Sequence, residues 1–266
     1  MNWTLFKATL RANWTIALIF TLIILIYVSV SVGMYDPENS EAIAAMLDLL
    51  PEGLIKAMGF ANLGTELTDY VSNYLYGFIM LTFPAIYIII MANRLVAKHV
   101  DSGSMAYLLT TPNSRSRIVL TQALYLAASV AAIMIVDVSI GILMSVSMFP
   151  GLLQVGPFLA LNWVTYLTML VSGGVAFLSS CVFSETRYSL AFGAGIVVLF
   201  LVTRMVSGVG DAVAWMKYLS IFSFVQTDRL LHDSSFVLSS TLILLPIAVV
   251  LFYAAARIFD RKSLAL

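Results

Sequence analysis

The side chains able to do chemistry are few: two histidines, one cysteine and a single carboxylate deep inside an apolar run. His99 and His232 fall in polar stretches that the charge pattern places on opposite sides of a membrane, so they cannot share a metal. Cys181 alone permits neither an internal disulfide nor a cysteine-based metal cluster. No G-x-x-x-x-G-K-[ST] loop occurs anywhere, so nothing in the chain cradles nucleotide phosphates. Gly208-x-Gly210 lacks a preceding strand and is no dinucleotide fingerprint. Intramembrane proteolysis would need a histidine or a second carboxylate beside Asp137. The chain is therefore expected to be no enzyme, with no metal and no cofactor of its own.

Asp137 needs an explanation, because a charge near the centre of a membrane helix costs about 2.5–3.5 kcal/mol on insertion scales. At about 1.5 Å per residue, Asp137 stands about 28 Å above residue 118, and Arg204 about 24 Å above residue 188. Such similar heights permit an ion pair between Asp137 and Arg204. The alternative is that each snorkels independently to the outer headgroups.

The elements that must position these residues follow from composition. Of the 266 residues 61% are hydrophobic and 11% charged, and the mean hydropathy is +0.98; a soluble domain carries about 25% charged residues. Six apolar runs, about 14–34, 70–92, 118–148, 158–182, 188–206 and 235–257, are each near the ~20 residues that cross a bilayer. All must be helical, because lipid offers an open backbone no partner. The fold class is an all-α polytopic membrane protein of one domain, 1–266, with lipid bilayer as its surroundings and nucleic acid no partner. Residues 1–13 are expected to form a separate interfacial helix, with Trp3, Phe6 and Leu10 on one face and Lys7 and Arg11 toward headgroups. The first apolar run is longer than a signal-peptide core and lacks a small-residue cleavage site. The Asn-Trp-Thr sequons at Asn2 and Asn13 fall on the inner side and are read as chance.

Basic residues set the orientation. With the N-terminus inside, Lys7, Arg11, Arg94, Lys98, Arg115, Arg117, Arg187, Arg257, Arg261 and Lys262 are cytoplasmic, against Lys56, Lys217 and Arg229 outside. Both termini are expected in the cytoplasm of a plasma-membrane protein. The outer loop 35–69 is acidic and carries helical spacing over 41–50 and 54–60, on either side of Pro51. In 207–234, apolar clusters interrupted by Gly208 and Gly210 predict half-helices that re-enter the membrane; a solvated outer loop is the alternative.

The segment 98–117, KHVDSGSMAYLLTTPNSRSR, is too polar to enter a bilayer yet holds the apolar cluster Met105, Ala106, Tyr107, Leu108 and Leu109. A short isolated helix has little to hold it folded, so the segment is expected to dock on a partner protein. Thirteen methionines and the tyrosines Tyr74, Tyr76, Tyr87, Tyr125 and Tyr166 are candidates for the wall of a route for apolar cargo, since methionine surfaces adapt to varied shapes; packing against lipid is the competing reading.

Asp101-x-Gly103-Ser104-x-x-x-Leu108-Leu109-x-x-Pro112-x-Ser114-Arg115 resembles the segment between spans two and three in permease subunits of type-2 ATP-binding-cassette exporters. Leu50-Pro51-Glu52-Gly53-Leu54-Ile55-Lys56-Ala57-Met58-Gly59 and the basic tail from Phe259 to Lys262 are similar to the same family. Asp101 stands where the family usually has glutamate, and Gln122 where it often has lysine. The resemblance implies that 98–117 is a coupling helix seated on a cytoplasmic ATPase through Asp101, Gly103, Met105, Tyr107, Leu108, Leu109, Pro112 and Arg115. It implies that 1–13 is an elbow helix and 207–234 a re-entrant cap. It further implies a second permease chain, identical or not, with ATP and Mg2+ held by the ATPase. Scarce membrane-embedded charge argues against ion-coupled transport and favours hydrophobic or amphipathic cargo (peptide, drug or lipid) leaving the cell. An ATP-independent transporter or channel, or a membrane anchor for a cytosolic protein, is the alternative.

Overall fold

The computed structural model describes residues 2–36, 66–106 and 114–262. Six of its helices are long and apolar enough to cross a membrane: α1 (Trp3–Gly33), α2 (Leu67–Asp101), α3 (Arg115–Met148), α4 (Val155–Val182), α5 (Thr186–Ser207) and α7 (Ser234–Arg261). The short α6 (Thr227–His232) precedes α7. The expected helical segments at 41–50 and 54–60 lie outside the described residues.

Helix α1 corrects one expectation. No separate interfacial helix precedes the first span, because α1 runs unbroken for 31 residues. Of the expected apolar face, Phe6 turns to the neighbouring helix, while Trp3 and Leu10 stay exposed at the start of the span. Phe6 sits edge-on to Tyr125 of α3, and Trp3 stacks on Phe6 with Lys7 over its ring. Asn2 caps the helix by accepting from the Leu5 N–H (3.1 Å), and Asn13 is buried with its amide donating to the Thr9 carbonyl (2.9 Å). Neither sequon asparagine is a free surface group.

α4 is the axis of the bundle. It packs against α7, α5, α2 and α3, and 78% of its most apolar window is buried within this one chain. The corresponding share is 67% for α2 but only 22% for α1 and α5 and 17% for α7, whose apolar outer faces remain for lipid or another chain. Close approach between α4 and α7 requires Gly174, where an added Cβ would stand 2.8 Å from Leu251 Cβ. Gly193 of α5 lies similarly close to the backbone of Ala176 on α4.

Helix α2 is not regular. It widens into π-helical turns at Leu75–Ile79 and Asn93–Ala97. Its first widened turn ends just before Met80, whose carbonyl the Pro84 ring would otherwise strike. Such insertions in a helical ladder are commonly found at functional positions.

Candidate functional site

The polar segment begins at the end of α2 and closes at the start of α3, and its residues 98–106 and 114–117 are described. Its first residues are held by local bonds. His99 Nδ1 and Ser104 Oγ are 2.9 Å apart, Ser102 and Ser104 hydroxyls pair at 2.9 Å, and Gly103 turns the chain with φ +70°. That positive φ suits glycine and strains other residues. Met105 is buried, whereas Tyr107, Leu108, Leu109 and Pro112 lie outside the described residues. Ser114 caps α3 by accepting from the Arg117 N–H (3.3 Å), and Arg115 follows.

Two ties fasten this segment to the rest of the bundle. The Asp101 carboxylate accepts from the Thr186 N–H at the start of α5 (3.3 Å). Arg115 donates through Nη1 to the Lys262 carbonyl after α7 (2.8 Å), and Lys262 Nζ donates to the Cys181 carbonyl near the end of α4 (3.2 Å). Burial lowers the Lys262 ammonium from its ordinary value. One turn deeper, the Asn93 amide donates to Ser189 Oγ (3.1 Å) and to the Thr186 carbonyl (3.3 Å). Ser189 also pairs with Ser180, and its carbonyl accepts from Ser179. The ends of α2, α3, α4, α5 and α7 are thus bonded to one another around the loop. Sequence reasoning missed Thr186, Lys262 and Asn93 as members of this network. Only Asn93, a polar residue closing an apolar run, left a visible signal.

The expected ion pair within the membrane does not form. Arg204 donates instead to the carbonyls of Phe222 (Nε, 3.0 Å) and Val225 (Nη2, 2.7 Å). Both oxygens of Asp137 are buried without a hydrogen-bond partner among the described residues. The reason is lateral: α5 packs on α4, α2 and the chain that follows it, whereas α3 packs on α1, α4 and α7. Equal height along two helices does not make them neighbours. Asp137 instead lies within electrostatic reach of Tyr76 on α2. The Tyr76 hydroxyl donates to Asn162 of α4, whose amide donates to the Phe158 carbonyl.

After Ser207 the chain turns back in two 3-10 segments, Asp211–Leu219 and Ile221–Phe224. Ser220 donates to the Phe200 carbonyl of α5, so this return lies alongside the helix it has just left. Phe222 and Val225 are fully buried there. At the same end, Thr227 donates to Asn73, and His232 approaches Asp69 at 3.5 Å. The Gln154 N–H donates to Thr68 (2.8 Å).

The tyrosines separate into two groups. Tyr87 and Tyr125 are enclosed in the bundle, with Tyr87 edge-on to Phe20 and Tyr125 to Phe6. Either would have to be uncovered by rearrangement before it met a cargo. Tyr74 and Tyr166 are half-buried, and Tyr166 lines an apolar groove of ≈ 380 Å³ between α3 and α4, together with Met134, Asn162 and Trp163.

No curated protein matches the chain by sequence. The family described as ABC-2 family transporter protein matches residues 3–264. That match takes in all six membrane helices and the segment between α2 and α3. The chain accordingly belongs to the ABC-2 family of membrane transporters.

Proposed function

We propose that this chain is the membrane-spanning half of an ATP-driven exporter, working with a second permease chain and two separate ATPase subunits. The observation that carries the reading is the set of ties around 98–117. α2 continues without interruption to Asp101, and bonds from Asp101 and Arg115 reach α5, α7 and, through Lys262, α4. A partner that grips this loop would therefore pull on five helix ends together, as rigid-body rocking between inward and outward states requires. In this reading Tyr107, Leu108, Leu109 and Pro112 form the docking surface and Gly103 sets its angle, whereas Met105, expected among them, is enclosed in the core and anchors the segment instead. The excess of basic residues near this end supports a cytoplasmic position for it, in a plasma-membrane protein with both termini inside. ATP and Mg2+ belong to the partner.

Cargo follows from the walls. The groove beside Tyr166 is apolar, and Asp137 is enclosed, so hydrophobic or amphipathic molecules fit better than ions or sugars. The segment 207–234, folded back along α5, serves as the outer cap. Purification of the native assembly tests the proposal: the chain is expected to bring down an ATP-hydrolysing subunit, and Leu108→Asp or Leu109→Asp to abolish that association. Undiminished stoichiometric binding in both variants would remove the docking assignment. ATPase stimulation in lipid across peptides, drugs and lipids then identifies the cargo class.

A further inference from the structure

A second site is built at the same end of the bundle, where Arg94 and Lys98 also border a cleft toward α5 that contains Asp101 and Thr186. A cavity of ≈ 300 Å³ opens between α1, α2 and α3, lined by Thr9, Asn13, Arg94, Lys98, His99 and Gln122 with apolar side chains of α1 and Leu95 between them. Its charge is one-sided, since the lining includes Arg94 and Lys98 and no acidic residue. The side chains of Arg94 and Lys98 have no hydrogen-bond or ion-pair partner among the described residues. Arg94 is nonetheless half-buried, an unfavourable position for a guanidinium left alone.

Of the polar groups around the two cations, Gln122 keeps a donor to spare. Thr9 Oγ1 donates to Gln122 Oε1 (3.3 Å), which occupies that oxygen and leaves the Gln122 amide nitrogen without a partner among the described residues. Asn13 is turned to the Thr9 carbonyl (2.9 Å), which fixes the α1 wall. The π-helical turn Asn93–Ala97 contains Arg94 and shifts the register of α2 where it meets the cavity. Two cations and a free amide donor, with apolar surface between them, match a phosphate on an apolar stem. Trp3 and Lys7 on the preceding turns of α1 are exposed at this end, as interfacial anchors are.

We infer that this cavity binds the phosphate headgroup of an anionic phospholipid, with Arg94 and Lys98 on the phosphate oxygens, Gln122 donating beside them and the acyl chains lying against α1. Basic pockets between membrane helices hold lipid headgroups in this manner. The inference does not depend on an ATPase partner, and its failure would leave the docking proposal untouched.

Native mass spectrometry of the full-length chain in detergent tests it, with phosphatidylglycerol, phosphatidylcholine of the same acyl chains, and inorganic phosphate as probes. Phosphatidylglycerol is expected to bind about tenfold or more tighter than phosphatidylcholine. Arg94→Gln combined with Lys98→Gln is expected to weaken it about tenfold or more, given the strength of charge-assisted hydrogen bonds. Arg187→Gln, which removes an exposed cation paired with Glu185, is expected to change nothing. Lys98→Gln and Gln122→Met, read singly, keep the test valid if the double variant does not fold; each should weaken binding about threefold. Equal binding of the two lipids, or wild-type affinity in the variants, overturns the site. Binding of inorganic phosphate through these residues without lipid binding overturns the lipid assignment and points to a soluble phosphate compound.

Discussion

Asp137 and Arg204 show how differently two membrane charges can be accommodated. Arg204 donates to two backbone carbonyls of the returning chain, at Val225 and at Phe222, whose oxygen also accepts from the Val225 N–H. Arg204→Met should therefore lower stability by about 1.5–3 kcal/mol, the range for hydrogen bonds to charged groups, measured as a shift in unfolding midpoint in detergent. Asp137 makes no compensating bond among the described residues. Asp137→Leu should raise stability by about 1–3 kcal/mol, because an unsatisfied buried polar group is removed; a loss of stability would show that the carboxyl has a partner. Gained stability with lost transport would mark the acid as one kept for function. Asp233 illustrates a third case, outside the membrane. Its carboxylate is held below the usual carboxylate range by hydrogen bonds from the Ser235 hydroxyl (2.6 Å) and the Phe236 N–H (3.2 Å) at the start of α7. A lowered folded-state pKa means the cap contributes fully above the ordinary aspartate value of about 3.9 and is lost as pH falls through the depressed value. Hydrogen exchange at Ser235 and Phe236 should lose protection across that acidic window, and Asp233→Asn should remove the pH dependence.

Among the elements, α4 decides the packing, and glycines decide how closely its neighbours approach. At Gly174 a Cβ meets Leu251 Cβ at 2.8 Å, whereas at the adjacent Gly173 the nearest atom is Ile88 Cγ2 at 3.6 Å, an ordinary contact. Gly174→Ala is expected to cost about 1–3 kcal/mol by overpacking. Gly173→Ala should stay near neutral, because better helix propensity offsets the new contact. Thermal unfolding of the two variants side by side checks this, and equal effects would show that α7 adjusts freely against α4. Helix α1 makes a related point. Its polar first turns could be read as a helix lying on the membrane, and the same residues instead continue the span by packing Phe6 and Thr9 against α3. Amphipathic spacing reports a face that is covered, and it does not say whether lipid or protein covers it.

On the scale of the whole molecule, what matters is that one loop is bonded to helices from every part of the bundle. Arg115→Ala would free the Lys262 carbonyl and so detach α3 from the link to α7 and α4. Under the proposed mechanism cargo-stimulated hydrolysis per bound ATPase should fall several-fold. Wild-type coupling in that variant would show that force does not pass through this tie. The weakly buried outer faces of α1, α5 and α7 leave apolar surface for lipid or for another chain.

Six helices and the polar insert at 98–117 were legible in the chain itself, for a simple reason. Crossing ~30 Å of hydrocarbon demands about twenty apolar residues, and a break in that pattern is visible without any partner in view. Lateral neighbours carry no such mark. The bonds of Arg204 to Phe222 and Val225, the ties from Asp101 to Thr186 and from Arg115 to Lys262, and the cavity around Arg94 all arise between residues well separated in the chain. Periodicity along one helix fixes height and face, but which helix stands opposite is set by how all six pack at once. That was decided only by the tertiary structure.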